Sequence, residues 1–141
     1  MTPHDSFDSC LDAFARAVGA SLPERAGGDP VVLSFDGIAV SFLDDASGGA
    51  IVLHAGIGEA LGGSEGAVAR EMLAANAALR ERQGPILGQD PETKAFGAIR
   101  SIPLPVAEPD VLLEAVGDLV KTAASWRERL GTAPDAANPP A

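Results

Sequence analysis

Tyrosine is absent from this chain, tryptophan and cysteine occur once each, and aromatic residues make up only 4% of its 141 positions. With Cys10 alone, no internal disulfide can form, which suits a reducing cytoplasm. Basic residues are scarce as well. Ten Lys and Arg stand against twenty Asp and Glu, for a formal charge of −10. A field of that sign repels a nucleic-acid duplex or an anionic membrane and favours basic or weakly charged partners. No apolar run is long enough to span a bilayer, so no membrane insertion is expected. The opening residues MTPHDSFDS carry neither the basic nor the apolar region of a secretory signal. Together these absences predict a soluble, cytoplasmic protein that binds no nucleic acid.

What is present is a 46% hydrophobic chain, long enough for one domain with its own core. Residues 1–131 read as that domain. The tail TAPDAANPPA, residues 132–141, has no apolar pattern and is expected to be disordered.

The first helix is predicted from about Asp5 to Val18. Phe7, Leu11, Phe14 and Val18 recur at helical spacing, Asp5 or Ser6 can cap the start, and Gly19 suits the end. In PVVLSFDGIAVSFLDD, Asp36-Gly37 is a two-residue type I′ hairpin turn. That turn sets a register in which Phe35 meets Ile38, Leu33 meets Val40 and Val31 meets Phe42, all on one face. The other face carries Val32, Ser34, Ala39, Ser41 and Leu43, smaller and more polar. DASGG makes a further turn, and AIVLHAGI is a third strand with Ile51, Leu53 and Ala55 opposed to Val52 and His54.

Ser64 to Gln83 is the pivot between these three strands and two later ones. Ser64 can cap it, six alanines favour helix, and Val68, Met72 and Leu79, joined by Leu73, make its apolar stripe. Gly84-Pro85 stops it. Such a helix can lie on its own sheet, or its narrow alanine-rich surface can pack on a second copy. ILGQD and KAFGAIRSIPL then form a second hairpin, ended by Pro103 and Pro105. A long final helix carries Leu112, Val116, Leu119, Ala123, Trp126 and Leu130 on one seam, with Arg127 and Arg129 in its last turn. The order is αβββαββα, an α+β fold with a mostly antiparallel twisted sheet flanked by helices.

Signs of catalysis are few. Gly56 to Gly62 follows a strand, but a dinucleotide loop needs its helix to open within the glycines and a parallel sheet around it, and here the hairpins argue otherwise. His4 and His54 are the only histidines, and Cys10 lies beside an apolar stripe where its thiol should stay protonated. Asp44-Asp45 lies in a turn, and no metal-ligand spacing occurs. No catalytic residue, metal site or cofactor is expected.

The element order, with LDAFARAVGA, LSFDGIAVSF, IVLHAGIG, MLAANAAL, ILGQD and LLEAVGDLVKTAASWRERL, resembles the type III secretion chaperones of the CesT/SycE-like (Tir chaperone) family. The resemblance runs from about Leu11 to Leu130. It implies a cytoplasmic homodimer without catalysis that holds the N-terminal segment of a secreted effector in extended form, keeping it soluble and competent for export. Phe7, Leu11, Val32, Leu43 and Val52 are then the candidate partner-binding residues. Val68, Met72, Leu73, Asn76, Leu79, Phe96 and Ile99 are the candidate dimer interface. The ATPase of the secretion apparatus is a further candidate partner. Two alternatives remain: a dimeric adaptor of the same fold that binds a folded regulator, and a small-ligand or nucleotide-binding domain using the Gly56–Gly62 loop.

Overall fold

A computed structural model describes residues 6–45, 49–60 and 62–131 of the chain. His4, the Asp5 cap candidate, residues 46–48 of the second turn and the tail 132–141 lie outside the described residues.

Helix α1 spans Phe7–Val18. Ser6 is its N-cap, the Oγ accepting the Ser9 N–H at 3.1 Å, and Gly19 ends it at φ 73°. The linker that follows is tied back to this helix. Both Asp8 carboxylate oxygens accept the Gly28 N–H, and Arg25 pairs with Asp8 at 2.8 Å. The Gly28 N–H, and after it the Arg25 guanidinium, hold the Asp8 carboxyl below its usual range.

Strands β1 (Val31–Phe35) and β2 (Ile38–Asp45) form the expected hairpin in the expected register, Phe35 with Ile38, Leu33 with Val40, Val31 with Phe42. Asp36 at φ 52° and Gly37 at φ 80° make the turn, both in the left-handed region that type I′ requires. Strand β3 (Ala50–Gly58) pairs with β2, and β4 (Ile86–Gln89) and β5 (Phe96–Pro103) make the second hairpin. The sheet order is β1-β2-β3-β5-β4 and each neighbouring pair is antiparallel. No parallel βαβ unit exists among the described residues to support a dinucleotide site.

Helix α2 (Glu65–Glu81) runs beside the edge strand β4. Ser64 occupies its N-cap but makes no side-chain capping bond. The helix stops before Gly84. Gln83 takes the left-handed position at φ 56°, and the Gln83 and Gly84 N–H groups bond the Arg80 and Leu79 carbonyls. A 3₁₀ turn at Leu104–Val106 follows β5, and α3 (Pro109–Leu130) closes the fold.

One core cluster holds the chain together. Helices α1 and α3 cover the sheet face that carries Val31, Val40, Phe42, Ile51, Leu53 and Ala55. Phe14 stacks at 5.5 Å from Phe42 and 6.4 Å from Phe35. On α3, Leu112, Val116, Leu119, Ala123 and Leu130 are buried as the seam predicted, with Trp126 half-buried against them. Arg127 lies in the last turn of α3, as expected. It is buried, and its Nε and a terminal nitrogen donate to the Gly56 carbonyl at 2.9 and 2.7 Å. That carbonyl lies where β3 bulges between Gly56 and Gly58.

Candidate partner-binding face

Because strand side chains alternate, covering one face of this sheet with α1 and α3 leaves its other face to the residues between the core positions. One row can be followed across all five strands. Val32 pairs with Ser41, Ser41 with His54, His54 with Ile99, and Ile99 with Ile86. Both ends of this row are exposed: Val32 is 43% accessible at one end, Ile99 40% and Ile86 63% at the other. Between them Ser41 and His54 are half-buried. Beside the row, Leu43 pairs with Val52, both half-buried. The face is therefore apolar at both ends with a polar middle.

The chemistry on this face is sparse. Burial lowers the His54 pKa, favouring the neutral ring. Cys10 lies on the other side of the sheet, in α1, donating its thiol to the Ala107 carbonyl at 3.5 Å. Burial, with the Glu108 charge adding to it, pushes that thiol up to about 11. Cys10 and His54 thus cannot act as a nucleophile and base pair. No group of three or more His, Cys, Asp and Glu able to hold a metal ion occurs among the described residues. No described helix is long and apolar enough to cross a membrane.

The structure separates the two groups of residues assigned from the sequence. Of the partner-binding set, Val32, Leu43 and Val52 stand together on the open face. Phe7 and Leu11 need correction. They are 3% and 0% exposed, because the α1 stripe that carries them turns into the core, and Arg25 lies over the Phe7 ring at 5.7 Å. Of the dimer set, Val68, Met72, Leu79 and Phe96 also need correction, since all four are buried inside this chain. The stripe of α2 chose its own sheet. Leu73, expected to join that stripe, points away from it and is 70% exposed. Asn76 is committed within the chain: its amide donates to the Leu87 carbonyl at 3.0 Å and its oxygen accepts the Leu87 N–H at 2.8 Å. A single side chain thereby covers the middle of the β4 edge, where another strand could otherwise pair. Ile99 remains on the open face.

Sequence reasoning missed Ile86, Val106 and Val111, which are 63%, 55% and 37% exposed. For Ile86 a signal was present. In ILGQ, alternation places Leu87 and Ile86 on opposite faces, and the helices can bury only one of them.

In fold, the chain is similar to one in the structure of the HopA1–SchA chaperone–effector complex, with TM-score 0.73 and 21% identity over 86% of this chain and 93% of that one. It is similar to a chain of the ExsC–ExsE complex, with TM-score 0.73 and 20% identity over 92% of this chain and 97% of that one. A third likeness is to the ExoU–SpcU complex from the type III secretion system of Pseudomonas aeruginosa, at TM-score 0.69 and 16% identity over 85% and 97% of the two chains. The α+β architecture is thus one found in chaperone–effector complexes. No curated protein matches the chain in sequence. The model of the Tir chaperone protein (CesT) family matches residues 9–127, and the chain belongs to that family.

Proposed function

We propose that this chain is a cytoplasmic type III secretion chaperone that binds the N-terminal segment of a secreted effector in extended form and keeps it soluble and competent for export. Family membership and the likeness to chains of chaperone–effector complexes support the reading. The observation that carries it is the open sheet face, where Val32, Leu43 and Val52 offer apolar contact that neither α1 nor α3 covers. An extended segment seated there draws affinity from backbone pairing at the β1 edge and from side chains set between these residues. Ordering it opposes binding by several kcal/mol, so a long wrapped surface is needed. The work is binding, without catalysis. Homodimerisation belongs to the same proposal, with Leu73 the large apolar side chain that α2 still presents outward. The ATPase of the secretion apparatus is the proposed recipient of the loaded chaperone.

The test is co-expression with the proteins encoded beside it, followed by hydrogen exchange on the purified complex. Protection should spread along β1–β3 and along an extended stretch of the partner. Val32→Asp and Val52→Asp should each weaken capture about tenfold or more while the melting temperature of the free chain changes little. A partner that stays globular, with protection confined to a compact patch, would replace the chaperone reading with that of an adaptor.

A further inference from the structure

Two polar side chains sit side by side in the middle of the open face. Ser41 on β2 and His54 on β3 are direct partners in the ladder, and both are half-buried. Their surroundings are apolar. Val32 pairs with Ser41 from β1, and Leu43 and Val52, two residues further along the same strands, pair with each other. Among the described residues, neither the Ser41 hydroxyl nor a His54 ring nitrogen has a hydrogen-bond partner. Burial is what lowers the His54 pKa from 6.5, with no charged neighbour adding to it, so the ring is neutral at pH 7. A neutral imidazole has one nitrogen that donates and one that accepts, and a hydroxyl does both.

The ring is held from below. A methyl group on Gly97 of β5 would meet the His54 Nε2 at 2.7 Å, closer than packed atoms approach. Gly97 has no left-handed φ, so the close approach of the imidazole, and not backbone conformation, is what calls for glycine there.

Half-burial leaves these polar groups open to solvent in the free chain. A segment laid over the face removes that solvent, and a buried donor or acceptor left unpaired opposes binding. An all-apolar segment suits Val32, Leu43 and Val52 but is penalised at this one spot. A charged side chain fares no better, since it gives up its own hydration beside a neutral ring. A carboxamide offers donor and acceptor together and matches both groups. Spacing agrees. From Val32 to the midpoint of Ser41 and His54 is one and a half strand separations, about 7 Å, and residues on one side of an extended chain recur at about 6.8 Å.

We propose that Ser41 and His54 are specificity-determining residues of the cargo face, selecting an extended segment that carries asparagine or glutamine two residues from an apolar side chain seated on Val32. Gly97 is a positioning residue that acts through the His54 ring. This selection rests on the chaperone reading and specifies what such a chaperone captures: a segment with a neutral amide set inside its apolar pattern.

The test uses the full chain and two fluorescent peptides of alternating valine and lysine, identical except that the central valine of one is replaced by asparagine. Anisotropy should show the asparagine peptide binding about tenfold more tightly. In a double variant, Ser41→Ala with His54→Leu, the order should reverse, because the groups that needed a partner are gone. Gly97→Ala, which touches no peptide, should cut the preference to about threefold or less by swinging the ring aside. Melting temperatures close to the parent's check that the variants keep the fold. Val32→Asp should weaken both peptides, which ties them to the cargo face. Equal binding of the two peptides that Val32→Asp abolishes overturns the polar contact and leaves the chaperone reading standing. So does a preference that survives the double variant. Binding of neither peptide, or binding indifferent to Val32→Asp, overturns the proposal together with the cargo face. A homodimer that the double variant splits assigns Ser41 and His54 to a second copy and overturns it too.

Discussion

The two faces of this sheet are built from the same strands yet obey different rules. On the helix-covered face, Val40, Phe42, Ile51, Leu53 and Ala55 are fully buried and fix the packing of α1 and α3. On the open face, Val32, Leu43, Val52, Ile99 and Ile86 are as apolar in type but none reaches that burial. Residue type alone does not distinguish them. Valine stands at position 31 with 1% exposure and at position 32 with 43%. The difference is that folding uses one face and leaves the other unspent, so the second face can lose an apolar residue without the fold losing its core.

The largest test of that contrast is a charge on each face. Phe42→Asp should cost roughly 4 kcal/mol or more, because a large ring leaves the core and a carboxylate enters it. Chemical denaturation would show it as a chain largely unfolded in buffer. Val32→Asp should stay within about 0.5 kcal/mol of the parent chain. Comparable losses at the two positions would mean that the open face is also structural.

The boundary between the faces can be probed at the β4 edge. Asn76→Ala strips the Leu87 N–H and carbonyl of their partner, which predicts a loss of about 1–3 kcal/mol. It should also raise the exchange rate at Leu87 and, by baring the edge, increase aggregation. An unchanged exchange rate would show that Asn76 is no edge cover.

The smallest effect concerns pH. His54 is half-buried on the open face, and burial lowers its pKa from the ordinary 6.5. The unfolded chain therefore takes up a proton at this residue at a higher pH than the folded chain. Stability is full above pH 6.5 and falls as pH drops through that value toward the lowered folded pKa. In His54→Gln the melting temperature should decline less over that window than in the parent chain. Equal decline in both would assign the acid response in this window to other groups; Asp8, whose pKa is lowered from the ordinary 3.8, costs stability only as pH falls through that value.

Much of this architecture is written in local chemistry. Asp36-Gly37 tolerates the left-handed turn, the turn sets the register, and the register sorts Val31 from Val32 before any tertiary contact is known. Helix α1 and the seam of α3 are legible for the same reason: large apolar side chains at helical spacing have to be buried somewhere. What they are buried against is not local. The stripe Val68, Met72 and Leu79 fits a helix docked on its own sheet or on a second copy equally well, since both offer the same apolar contact. Tertiary structure decided for the former, and likewise took Phe7 and Leu11 out of reach of a partner. Arg127 and Asn76 were decided the same way. An arginine in a last helical turn and an asparagine among alanines show no partner until folding brings the Gly56 carbonyl and the Leu87 peptide group within 3.0 Å of them. Hydrogen bonds across seventy-one or eleven residues leave no periodic trace in the sequence, because they depend on where two elements meet and not on what either one is.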